Sequence, residues 1–114
     1  MKSAYLYVDN NVFSSLIAES ESEQTQGLMH VTWPPPIMSF VYNRPKINKF
    51  WMHNTPSPLD IVFCCKGKVI DICSGEPYST KILGPENYSD LIIEFPKGTV
   101  ELSGIKIGQS VGFV

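Results

Sequence analysis

The stretch Phe50-Trp51-Met52-His53-Asn54-Thr55-Pro56-Ser57-Pro58-Leu59-Asp60 constrains the fold more than any other part of the chain. It sets two large aromatics, an Asn-Thr turn and two prolines ahead of an apolar run at residues 59–65. Proline lacks a backbone N–H and fixes φ, so Pro56 and Pro58 exclude helix and central strand until the apolar run begins. Asp60 stands between Leu59 and Ile61, and a carboxylate inside such a run needs hydrogen-bond donors around it. The expected core is therefore a sheet entered through a rigid aromatic-proline bend.

The 114 residues suit one domain, 1–114, with a single real core. With 43% hydrophobic and 18% charged residues the chain reads as globular rather than disordered. A net charge of -2 offers no basic field for phosphates, so no nucleic-acid partner is expected. No apolar run approaches the roughly 20 residues of a membrane span. The polar interruption Asp9-Asn10-Asn11 after Val8 does not suit a signal peptide. Three cysteines, two of them adjacent, make a poor disulfide framework. These features together imply a cytoplasmic protein.

Residues 4–8 and 12–18 read as strands joined by the turn-prone Asp9-Asn10-Asn11. Ser20 and Glu23 have capping-box spacing and open a short helix over residues 21–26. Trp33-Pro34-Pro35-Pro36 imposes an extended connector. Strands follow at 37–42 and 48–52, separated by an Asn43-Arg44-Pro45 turn. Strands at 59–65 and 68–74 flank Lys66-Gly67, a hairpin turn. A two-residue loop with regular pairing places Ile61, Phe63, Ile70 and Ile72 on one face. It places Asp60, Val62, Asp71 and Cys73 on the other. Residues 75–89 carry no convincing element, and loops of that length are often functional. Residues 90–95 form a strand with Leu91, Ile93 and Phe95 inward; about one helical turn lies between Gly98 and Gly104, and a last strand covers 110–114. The fold class expected is α+β and strand-dominated: a compact curled or barrel-like, mostly antiparallel sheet with one or two short helices.

Ser20-x-x-Glu23, Gly27-Leu28-Met29 and Met38-x-Phe40-Val41-Tyr42 occur in that order, followed by Phe50-Trp51-Met52-x-Asn54-Thr55-x-x-Pro58-Leu59-Asp60-Ile61-Val62-Phe63. Gly67-Lys68-Val69, Ile93-Glu94-Phe95-Pro96-x-Gly98 and Gly104-Ile105-Lys106-Ile107-Gly108 complete the series. Over roughly residues 12 to 114 the chain resembles domain-of-unknown-function family 192, common in bacteria and archaea. The central segment is that family's signature. The resemblance implies a compact strand-rich fold and carries no activity with it. Val31 stands where relatives usually have Arg, Ile37 where they have Gly, His53 where a Lys is frequent, and Gln109 where they have an acid. Cysteines that many relatives carry in the 75–89 loop are missing, and the secretion signals or membrane anchors of many relatives are not expected here.

Asn54, Thr55, Asp60 and Glu94 are the candidate polar pocket, with two carboxylates able to share a proton or hold a cation. The competing reading gives Asn54 and Thr55 to the turn and Asp60 to loop N–H groups. Trp51, Tyr78 and Tyr88 are the candidate aromatic lining, together with Trp33 and Phe50; the competing reading, favoured for Trp51, makes Trp51 and Phe50 core residues under the proline segment, with Tyr78 and Tyr88 better placed to meet a ligand. Adjacent Cys64 and Cys65 point to opposite faces of a strand, and with Cys73, His30 and His53 they make no metal set. No catalytic residue, metal or cofactor is assigned. The leading expectation is a small non-enzymatic domain that binds a small molecule or protein. A hydrolase or isomerase using Asp60 and Glu94 is the second. The third is an assembly subunit pairing through an edge strand at 4–8 or 110–114.

Overall fold

In a computed structural model describing residues 1–114, the chain forms seven strands and two short helices. They run β1 (Lys2–Val8), β2 (Asn11–Ala18), α1 (Glu21–Gln26), β3 (Met38–Lys46), β4 (Leu59–Cys65), β5 (Lys68–Gly75), β6 (Ser89–Pro96), α2 (Thr99–Ser103) and β7 (Val111–Phe113). The strand order is β5-β4-β6-β3-β2-β1-β7 in one curled sheet. Only β2 and β3 pair in parallel, across the crossover through α1. At one end the two edges meet: Val69 N–H donates to Gln109 O at 3.0 Å and Val111 N–H to Gly67 O at 3.0 Å. The strand-dominated, barrel-like α+β fold is thus the one the sequence implies. No helix is long and apolar enough to cross a membrane.

Local signals act as expected where they are strong. Ser20 Oγ accepts from Glu23 N–H at 3.1 Å, while the Glu23 carboxylate accepts from Ser20 N–H at 3.1 Å, closing the capping box on α1. Those backbone donors, Ser20 first and then Glu19, lower the Glu23 pKa. Lys66 and Gly67 both have positive φ, 50° and 78°, as a two-residue hairpin with primed twist requires.

Three details depart from the sequence reading. A bulge between Phe63 and Cys64 pairs Cys64 with Val69 but Phe63 with Asp71. It moves Ile72 to the face of Val62 and Cys73 to that of Ile61, since the side-chain period of a strand is two. Residues 43–46 continue β3 through an irregularity instead of turning, which accommodates Pro45. Residues 48–52 form no full strand. Their partner is the irregular 76–88 segment, and they meet it through the single Phe50–Leu83 bridge and Met52 N–H to Ser79 O at 2.9 Å.

The sheet carries a core on each face. Inside the curl lie Leu6, Val8, Val62, Cys64, Leu91, Ile93 and Phe95, with Val100 and Ile105 of the α2 segment packed against them. On the outer face, Phe40, Leu59, Ile61, Phe63 and Ile92 are covered by Leu28 and Met52. The 76–88 segment is held tightly here: Gly84 has φ +131°, and a Cβ there would lie 2.7 Å from Asn48 O and 3.2 Å from the Phe63 ring. Gly84→Ala is expected to cost about 1–3 kcal/mol or more, read as a lowered urea midpoint. An unchanged midpoint would show that the 76–88 segment is not fixed by this approach.

Candidate functional site

Asp60 pairs with Phe95 across the β4–β6 ladder, and Ile61 pairs with Glu94. Successive side chains alternate faces, so the two carboxylates point to opposite sides of the sheet. The expected convergence of Asp60 and Glu94 therefore does not occur. The offset comes from a pairing register that the sequence does not encode locally.

Asp60 faces the interior of the curl and is a support for α2. Its Oδ2 accepts from Gly98 N–H and Val100 N–H, each at 3.0 Å, taking up amides at the start of that helix. Pro58 O accepts from Lys97 N–H at 3.0 Å beside it.

Glu94 faces the outer core between Met38 on β3 and Ile61 on β4, both apolar. It is 5% exposed, and its Oε1 is buried with no hydrogen-bond partner. Burial pushes its pKa up to about 8, since an ionised carboxylate is disfavoured where water is excluded. The Tyr42 hydroxyl is raised by burial first and by the neighbouring Glu94 charge second.

Above Glu94 lies a cleft of about 260 Å³ between the end of α1 and residues 49–55. Phe40, Tyr42, Phe50 and Trp51 supply its aromatic walls, and Thr55 and Gly27 also line it. Phe50 packs edge-on against Phe40 and Phe63, with centroids 4.9 and 5.8 Å apart. Trp51 is 46% exposed at the rim and lies against the His53 ring at 4.8 Å, which overturns its reading as a core residue. Gly27 has φ +50°; a Cβ there would sit 3.4 Å from the Phe40 ring and 3.8 Å from Glu94 Oε1. The glycine that ends α1 thus keeps the space above the acid open.

The cleft unites Glu94, Thr55 and Trp51 from the sequence candidates. Asn54 is exposed in a turn at φ +53°, where its carbonyl accepts from His30 N–H at 2.8 Å. Tyr78 and Tyr88, 64% and 60% exposed, lie outside the cleft because their segment packs beyond Phe50. Gly27, Phe40, Tyr42 and Lys49 are lining residues that the sequence reading did not select. The period-two run Met38, Phe40, Tyr42 signals one shared face of β3, and Glu94 within the apolar run 91–95 signals the same face of β6.

Asp60→Ala leaves the Gly98 and Val100 amides without an acceptor and should cost about 1–3 kcal/mol in urea unfolding, with Asp60→Asn losing less. Equal stability of all three proteins would remove the supporting role. Glu94 behaves oppositely with pH. Its folded pKa of about 8 lies above the ordinary 4.5, so its contribution to stability is complete below pH 4.5 and is lost as pH rises through 8. Glu94→Gln should match the parent at low pH and show the higher urea midpoint once pH reaches about 8. Parallel pH profiles for the two proteins would contradict burial of this acid.

Known structures repeat this arrangement of strands. A protein of unknown function from Novosphingobium aromaticivorans DSM 12444 superposes with a TM-score of 0.90 at 31% identity, over 96% of this chain and 84% of that one. A protein described as a candidate transcription regulator from Sinorhizobium meliloti 1021 gives a TM-score of 0.91 at 23% identity, over 98% and 94% of the two chains. No curated protein matches the sequence. The family DUF192, described as "Uncharacterized ACR", matches residues 5–113, and the chain belongs to it.

Proposed function

We propose that this protein is a small binding domain, without a reaction of its own, whose ligand seats in the cleft above Glu94. The observation that carries the proposal is Glu94 in the wall of an aromatic cleft, with its Oε1 buried and without a hydrogen-bond partner. Buried polar atoms are nearly always hydrogen-bonded, and one left without a partner on a cavity wall points to a ligand.

A two-carboxylate hydrolase or isomerase site needs both acids on one substrate, and the sheet separates them. Burial pushes the Cys64 thiol up to about 12 and also raises Cys73, which works against a thiolate nucleophile. Assembly through residues 4–8 loses much of its basis, because residues 6–8 of β1 pair with β7 as well as with β2, and the edge position belongs to β7 at residues 111–113. Likeness to the Sinorhizobium protein extends to fold alone, and the net charge of -2 supplies no field for a phosphate backbone.

Amide spectra of the 15N-labelled chain, titrated with phenol, benzyl alcohol and benzamide, test the reading. Shifts should gather at Gly27, Leu28, Trp51 and Glu94. Shifts confined to the shallow groove between Phe13 and α2, or to no defined surface, would overturn it.

A further inference from the structure

We infer that the ligand of this cleft is a small protonated amine, whose N–H donates to the Glu94 carboxylate while its body lies against Phe40, Tyr42, Phe50 and Trp51. The inference rests on the cleft being the binding site and adds the chemical class of what it binds.

The argument starts from the donors in the wall. Thr55 Oγ1 donates to His53 O at 3.1 Å. Gln24 Nε2 donates to Ala18 O and Val41 O at 3.1 and 3.0 Å, and Gln26 Nε2 to Met29 O at 3.3 Å. Lys49 Nζ is held 2.8 Å from both Gly84 O and the Glu86 carboxylate. The Tyr42 hydroxyl makes no bond to Glu94 Oε1. The Gln24 and Gln26 amides, the Thr55 hydroxyl and the Lys49 ammonium are thus directed to other acceptors, and a donor carried by the ligand would satisfy Oε1.

Three features select a cationic donor over a neutral one. Aromatic faces attract cations through their quadrupoles, and four aromatic residues line this cleft. A buried carboxylate gains most from a partner that also neutralises its charge. The one cation in the wall, Lys49, is already paired with Glu86, and no second carboxylate lines the cleft. A quaternary ammonium would bring charge but no N–H for Oε1. At about 260 Å³ the space lies at the lower end of the roughly 300–1,000 Å³ typical of ligand pockets, which suits a body of about one ring.

Proton balance follows from the surroundings of Glu94. Besides Lys49, the titratable neighbour is Tyr42 from β3; α1 contributes Gln24, Thr25 and Gln26, and the flanking strands Met38 and Ile61. In the free protein the acid keeps its proton at neutral pH. Binding exchanges that proton, which leaves to solvent, for an ammonium that keeps its own protons.

Calorimetry and amide spectra on the whole chain, with benzylamine, benzyltrimethylammonium and benzyl alcohol as probes, test this. Benzylamine should bind at least about tenfold tighter than the other two, the mark of one charge-assisted hydrogen bond. Its affinity should rise about tenfold per pH unit below pH 8, with one proton released per amine bound. Glu94→Gln should erase both the preference and the pH slope. Trp51→Ala, at an exposed rim position, should weaken benzylamine several-fold while leaving the fold intact. Benzyl alcohol shifting the cleft amides as strongly as benzylamine would overturn the amine inference and leave the cleft reading standing. Absence of shifts at the cleft with all three probes would remove both.

Discussion

The antiparallel ladder between β4 and β6 has little water on either side, so each side chain along it must suit one of two apolar cores. Val62, Cys64, Leu91, Ile93 and Phe95 fill the curl, and Leu59, Ile61, Phe63 and Ile92 support the outer layer. Both carboxylates of this ladder lie under that constraint, and each meets it differently. Asp60 finds two backbone amides at the start of α2 and so ties the segment that closes the curl to the central strand. Glu94 meets only Met38 and Ile61 beside it and holds its proton. Everything else is arranged to cover one face or the other of this ladder.

The bend at residues 50–58 covers the outer face by splitting its side chains between inside and outside. Met52 is fully buried while Trp51 stands half-exposed one residue earlier. The turn after them is stitched to the connector that follows α1: Asn54 O accepts from His30 N–H at 2.8 Å, and Ser57 Oγ donates to Val31 O at 2.9 Å. These contacts use the backbone of the connector, so Val31 serves here where relatives usually carry Arg, with its side chain packed on the outer core. The same stitching sets the two walls of the cleft at a fixed separation. Geometry, more than the chemistry of Asn54 itself, is what that turn contributes.

Much of this was legible in the sequence, and the misses share a cause. Capping spacing at Ser20 and Glu23, the Lys66-Gly67 turn and the alternation in residues 91–95 are local signals, and each gives the element observed. The bulge opposite Phe63 is fixed by how β5 meets β4 and by the closure of Val69 onto residues 108–111, which no local pattern states. Residues 48–52 have strand composition but find only an irregular partner. The same limit applies to the site. Glu94, Thr55 and Trp51 could be named from residue type, yet whether Asp60 joined them depended on a one-residue offset in pairing. Tyr78 and Tyr88 sit in a long loop, a common place for ligand contacts, but that loop packs along the flank of the outer core and neither tyrosine lines the cleft.

Two features at one place support the proposal that the cleft binds a ligand. A buried acid without donors destabilises the fold, and an apolar residue of similar shape between Met38 and Ile61 would relieve it. Directly above, α1 ends on a glycine at φ +50°, a conformation with its own entropic cost, where any side chain would touch the Phe40 ring and approach Oε1. Each has a bland explanation alone: a tolerated acid, an ordinary helix terminator. Together they place a buried acceptor beside a helix end that carries no side chain, while the Gln24, Gln26 and Lys49 side chains are directed to other acceptors. The proposed binding role accounts for both departures from local rules at once, whereas stability by itself gives no reason for the coincidence.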